Sequence, residues 1–154
     1  PNSGAFRRDG WEPLSRQLRL FKDYLSVCSS EDLSRLKRLA MSGSWGHRRV
    51  PLAALAWKRI AALDGDAALA PRERMGKGLC TMQTGDYAAA AKLFTDAAQH
   101  ASTTTEKAEA LHYLEHVARV YLKDTATAAK AVAQLKEIAP DGWALRGIPI
   151  ATGK

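Results

Sequence analysis

Cysteine, long apolar runs and strand-like patterns are scarce or absent in this sequence. Its two cysteines, Cys28 and Cys80, each occupy an apolar position in a helical pattern. Two thiols do not make a disulfide framework, and buried reduced cysteine behaves as a small apolar residue. We therefore expect a reducing compartment, such as the cytoplasm or an organelle matrix.

The apolar residues themselves exclude other classes. No run of about 18 or more apolar residues occurs, and no charged, apolar and small segment opens the chain, so neither a membrane span nor an export signal is expected. Alternating or β-branched runs are also missing, while alanine is abundant. This composition favours an all-α protein, and 154 residues with 46% hydrophobic content can bury one sizeable core.

An internal repeat is the strongest pattern in the chain. The triplets Ala53-Trp57-Ile60, Ala90-Phe94-Ala97 and Ala128-Val132-Leu135 have the same internal spacing and recur at nearly equal intervals along the sequence. Each triplet occupies one face of a helix, and a second alanine follows its first residue each time. Such a regular recurrence predicts stacked two-helix units, none of which buries its own face alone.

The best unit surrounds residues 78–97. Gly78 lies on a first helix, where a missing side chain lets a neighbour approach closely, and Ala90, Phe94 and Ala97 follow on a second helix. Gly85 and Asp86 between them are typical of a helix end and a helix cap. This unit resembles a tetratricopeptide (TPR) repeat, whose usual period of about 34 residues is slightly shorter than the interval between the triplets.

The resemblance covers about residues 31–140 and implies a right-handed stack of antiparallel helical hairpins, a TPR-like α-solenoid. The middle unit lacks the first-helix Trp and the closing Pro of the family. The last unit matches at Leu114, Tyr121, Ala128 and Pro140, and the first matches mainly in its second helix. The predicted segments are a flexible N-terminus (1–10), a capping helix (11–28), three hairpins within 29–140 (about 31–63, 71–100 and 104–139) and an apolar tail (141–154).

In TPR proteins the first helix of each hairpin lines a groove that binds a partner. The resemblance therefore implies a non-enzymatic interaction scaffold or assembly subunit that binds a peptide, helix or partner subunit. The expected partner is either acidic or an apolar helix. The implied groove residues are Lys37, Met41, Trp45, Arg72, Met75, Leu79, Met82, Gln83, His112, Glu115, Arg119, Leu122 and Lys123. The alternative is that Met75, Leu79 and Met82 belong to the core.

No catalytic or metal site is expected, and no cofactor. His112-Tyr113-Leu114-Glu115-His116 has the H-x-x-E-H order of inverted zinc peptidases, but such enzymes need a carboxylate ligand far downstream, and the last glutamate after His116 is Glu137 on a hairpin helix. Gly76-Lys77-Gly78 lacks the spacing of a phosphate loop. The single asparagine, Asn2, lies outside the repeats, which argues against the carboxylate clamp that some TPR proteins use.

The net charge of +7 lies entirely in the first half. Residues 1–77 have 15 basic against 8 acidic side chains, whereas residues 78–154 have 8 of each. RNA is therefore the second candidate partner, as a helical-repeat protein would contact it through a basic surface. Trp45 alone supplies an aromatic near that surface, and single-stranded RNA recognition usually needs several.

A different fold remains as a third interpretation. The Gly85-Asp86-Tyr87 segment is also similar to the compact five-helix domain of COPII outer-coat C-termini and the steroid receptor RNA activator protein. That bundle gives no reason for three evenly spaced triplets, so the repeat favours the hairpin stack.

Overall fold

The computed structural model describes residues 3–45 and 49–149, with side chains from residue 15 onward. All regular secondary structure in these residues is helical, with seven α-helices and no strand. The chain divides into two compact units at Ala68 and Leu69, where composition predicted one core.

The first unit contains α1 (Ser3–Val27), α2 (Leu33–Ser44) and α3 (Val50–Asp64). A short 3-10 turn precedes α2, and the Asp32 carboxylate accepts a hydrogen bond of 2.9 Å from the Ser29 backbone N–H. Helices α2 and α3 pack closely, since a Cβ at Gly43 would lie only 2.8 Å from that of Ala53. The Trp57 indole N–H donates to the buried Ser44 hydroxyl over 3.0 Å, which satisfies both groups inside this hairpin.

Two features of the first unit differ from the sequence prediction. Helix α1 begins at Ser3, so residues 3–10 are helical where a flexible segment was expected, and residues 1–2 lie outside the description. Pro13 suggested a later start because proline suits a first helical turn, but it does not require a helix to begin there. The spacing of Leu33, Leu36, Leu39 and Ala40 also predicts one buried stripe on α2. Leu36 and Ala40 are fully buried, but the Leu39 side chain is 42% exposed because it lies at the edge of their face.

The second unit contains four helices that follow the predicted hairpins: α4 (Pro71–Gln83), α5 (Tyr87–His100), α6 (Thr104–His116) and α7 (Thr125–Ile138). Gly85 has a φ of 92°, which favours glycine, and the Asp86 carboxylate accepts from the Ala89 N–H over 3.2 Å. Thr103 and Asp124 cap α6 and α7 in the same way. The local signals in the sequence therefore fix these helix starts.

Phe94 is the centre of this unit's core. It is fully buried, and a Cβ at Gly78 would lie 2.6 Å from its ring, so the missing side chain of Gly78 is what allows α4 and α5 to approach. Tyr113 of α6 also packs on Phe94, with ring centroids 5.6 Å apart. The core cluster, which includes Met75, Leu79, Leu111 and Leu135, consists entirely of residues from this unit.

The end of α6 and the tail have forms that periodicity did not predict. Residues Val117–Leu122 make a π-helical turn, which ends at Lys123 with a φ of 55°. The apolar tail contains a 3-10 turn at Trp143–Leu145, and this turn contacts α6 and α7. Ala144 in this turn is buried.

Among the described residues, no helix combines the length and apolar character that a membrane span needs.

Candidate functional site

The predicted groove residues of the first two hairpins lie in different environments. On α2, Lys37 and Met41 are half-buried and Trp45 is 45% exposed. On α4, Met75 and Leu79 belong to the core with only 4% and 5% of their surface exposed, Met82 packs against that core, and Arg72 and Gln83 are exposed. The burial of Met75 and Leu79 favours the alternative that they stabilise the unit.

Two predicted residues on the third hairpin come together as an ion pair. Glu115 is 1% exposed, and its carboxylate accepts a hydrogen bond of 2.5 Å from the Arg119 Nε–H. A buried carboxylate requires a partner, since removing one side of such a pair costs several kcal/mol. The guanidinium is partly exposed, so the pair connects the interior of the unit to its surface.

The ion pair lies where α6 continues into the π-helical turn, with Glu115 on α6 and Arg119 in the turn. The turn changes the helical register after His116, and Val117 and Ala118 remain fully buried while Arg119 reaches back to Glu115. The same turn brings Tyr121 onto Tyr87 of α5, with near-parallel rings 4.0 Å apart.

An apolar groove lies beside this ion pair, with a volume of about 630 Å³. We call it the α7 groove. Its floor is one face of α7, and its walls are the Glu115–Arg119 pair and the tail. The lining residues are Glu115, Arg119, Thr125, Ala128, Ala129, Val132, Ala133, Lys136, Pro140, Leu145, Ile148 and Pro149.

The tail wall of the groove is held by His112. Its Nδ1–H donates to the Ala144 carbonyl over 2.8 Å, and its ring lies 4.9 Å from that of Trp143. This contact fixes the chain just before Leu145 and Ile148, the two tail side chains that line the groove and pack against the core. His112, predicted to face a partner, thus positions a wall of the groove.

The side chain of His116 is half-buried, and those of Cys28 and Cys80 are buried. Burial, followed by the nearby Arg119 charge, lowers the pKa of His116 below its usual range, so the neutral ring is favoured beside the Tyr121 ring. No group of three histidine, cysteine or acidic side chains in the described part of the chain could hold a metal. Burial raises the pKa of the Cys80 thiol to about 11, and both cysteines are buried and free of disulfide bonds.

A second cleft of about 590 Å³ lies among α5, α6 and α7. It is more polar: Gln99, Lys107, Lys130, Gln134 and Glu137 surround a floor that includes Leu111 and Leu114. Long polar side chains around a small apolar floor are also what an ordinary solvated surface has. The α7 groove is therefore the better candidate site.

The sequence prediction missed most of the α7 groove because it assigned α7 to packing. The available signal was the middle position of the repeated triplet. Trp57 and Phe94 at this position are 2% and 0% exposed, whereas Val132 is half-buried and lines the groove. A small residue where two earlier units have an aromatic indicates a face that its own unit does not cover.

Comparisons with models of protein families, with curated proteins and with solved structures give no match for this chain.

Proposed function

We propose that this protein is a TPR-like, non-enzymatic interaction module that binds a partner protein in the α7 groove. The observation that carries the proposal is the groove itself, which is concave and mainly apolar, has a volume of about 630 Å³ and lies on the last hairpin. This volume is in the range of specific binding pockets, which combine apolar walls with a few placed polar groups.

The charged residues of the groove support specific binding of a partner. Glu115 and Arg119, both implied as partner-binding residues by the TPR resemblance, form one wall, and exposed Lys136 lies on α7. Exposed apolar side chains occur elsewhere on the same unit, at Tyr121, Leu122 and Trp143. A buried apolar centre with a charged rim is the usual anatomy of a protein interface.

A matched pair of substitutions on α7 tests the proposal. Ala133 and Ala126 are both exposed on this helix, but only Ala133 lines the groove. Ala133→Arg would fill the groove with a long cation, whereas Ala126→Arg adds the same side chain outside it. We expect the first variant to lose at least about tenfold of partner affinity and the second to bind as the unsubstituted chain does, because interface centres dominate binding energy.

The measurement is affinity capture from the native source with the three chains side by side, followed by titration of the captured protein. Circular dichroism and thermal unfolding confirm that both variants are folded. A partner that binds the two arginine variants equally well would refute the α7 groove as the binding site.

A further inference from the structure

The repeat itself indicates what shape the α7 groove receives. Aligning the second and third triplets places Ala90 on Ala128 and Phe94 on Val132, so it relates the whole face of α5 to that of α7. The groove-lining residues of α7 then correspond to a continuous face of α5. The corresponding α5 residues are Tyr87, Ala90, Ala91, Phe94, Thr95 and Ala98.

In the second unit this face of α5 is covered by α6 and the π-helical turn that follows it, and Gly78 of α4 also packs against the Phe94 ring. Tyr121 stacks on Tyr87 at 4.0 Å, and Tyr113 stacks on Phe94 at 5.6 Å. Ala90, Phe94 and Ala98 are buried in the same core cluster as Leu111 and Leu114. Tyr87 precedes Phe94 along α5, whereas the partner of Tyr87, Tyr121, follows the partner of Phe94, Tyr113, so the two helical segments are antiparallel.

We infer that the α7 groove binds an amphipathic α-helix of a partner, placed on α7 as α6 is placed on α5. The inference rests on the proposed function and adds the occupant's chemistry. Alanines at 128, 129 and 133 leave room for a helix backbone to approach, and the tail residues Leu145 and Ile148 give it a side wall.

The differences between the two faces specify the partner helix. Val132 and Thr125 are smaller than Phe94 and Tyr87, so the partner must bring a large apolar side chain to fill the space. Lys136 takes the position of Ala98, which adds a cation at the end of the groove where an antiparallel helix begins. Arg119 is already paired with Glu115, so Lys136 is the cation that an acidic residue in the partner's first turns would meet.

The probe is a stapled helical peptide that copies residues 104–123 with two changes. Tyr113→Trp supplies the larger side chain opposite Val132. Lys107→Glu supplies the acid opposite Lys136, since Lys107 and Ala98 line the same cleft in this chain. We expect the changed peptide to bind the full chain about tenfold more tightly than the unchanged copy, by fluorescence anisotropy.

Charge reversal tests the orientation. Lys136→Glu in the full chain should lower its affinity for the changed peptide about tenfold. A peptide that keeps Tyr113→Trp but has Lys107 restored should recover that affinity. Ala133→Arg should abolish binding of both peptides, with Ala126→Arg as the folded control. Chemical-shift changes should centre on Val132 and Lys136.

Three results would overturn the inference. The first is that the Ala133→Arg variant binds the peptides as tightly as the unsubstituted chain does. The second is that the peptide affinity does not depend on the sign of the charge at residue 136. The third is a concentration-dependent dimer of this chain that Ala133→Arg abolishes, which would make a second copy the occupant. If Ala133→Arg removes a captured partner while the helical peptides fail to bind, the groove is a binding site whose occupant is not this helix.

Discussion

At the scale of single residues, the contact of Gly78 with Phe94 controls how closely α4 and α5 pack. A Cβ at Gly78 would meet three ring atoms at 2.6 to 3.1 Å, and the ring is fully buried. The sequence predicted this close approach from the glycine alone, because no other residue lacks a Cβ. The identity of the opposing side chain required the structure.

We expect Gly78→Ala to destabilise the protein by about 1–2 kcal/mol. A Cβ placed 2.6 Å from a buried ring atom should cost about 2–3 kcal/mol, the upper part of the range for overpacking, and alanine regains about 1 kcal/mol of this inside a helix. Urea unfolding measures the loss. The double variant Gly78→Ala with Phe94→Leu should lose less free energy of unfolding than the two single variants lose in sum. Additive losses would contradict the steric explanation.

His116 gives the protein a pH-dependent stability. Burial is the main cause that lowers its pKa in the folded state, and the Arg119 and His112 charges lower it further while Glu115 opposes them. The unfolded chain, with a histidine pKa of about 6.5, therefore binds more protons than the folded chain near that pH. Stability from the neutral ring is present above the unfolded pKa and is lost as the pH falls.

His116→Gln should reduce this loss. We expect the free energy of unfolding of the unsubstituted chain to fall between about pH 7.5 and about pH 5.5, and that of the variant to fall less, because glutamine does not titrate. Urea titrations at both pH values give the comparison. An unchanged pH slope in the variant would mean that other groups cause the loss.

At the scale of helices, the boundaries in the second unit follow from short-range chemistry. Gly85 and Asp86 separate α4 from α5, as the sequence predicted, and Pro71 at the start of α4 and Thr103 at the cap of α6 are local signals of the same kind. These signals act within a few positions along the chain, so the sequence is sufficient to read them. The π-helical turn at Val117–Leu122 escaped prediction because its apolar residues also fit an ordinary helix.

The Asp86 cap offers a direct test of this local control. Its carboxylate satisfies the Ala89 N–H at the start of α5, and Asp86 itself is exposed. Asp86→Ala should lower the free energy of unfolding by about 1 kcal/mol. Asp86→Asn retains a cap acceptor, so its free energy of unfolding should differ from that of the unsubstituted chain by only about 0.3 kcal/mol. Thermal and urea unfolding of both variants would measure the difference, and equal losses would show that the cap is not the cause.

At the scale of the whole molecule, the division at Ala68 and Leu69 is the main departure from the expectation of one core. The second unit's core cluster draws on its own residues, from Met75 to Ile148. The excess positive charge lies before residue 78, so the α7 groove lies in the electrically balanced half of the sequence. Composition averages over both units and could not reveal this division.

We expect a fragment of residues 69–154 to fold without the first unit. Its four helices and its tail should give a helical circular dichroism spectrum and one cooperative urea transition, because the contacts that bury Phe94 and Leu135 are internal to it. The intact chain is the control. A fragment that unfolds gradually, or is not helical, would show that its core depends on residues 1–68.

The sequence by itself determined that the described chain is helical, where most of its helices begin and end, and that one triplet recurs in α3, α5 and α7. These properties depend on local propensity, capping and periodicity, which act over a few turns. Only the tertiary structure decided that Met75 and Leu79 are buried, that His112 holds the tail, and that Val132 faces a groove. Residues far apart in the chain make these contacts, and the same apolar stripe can face a core or a partner until its neighbours are placed.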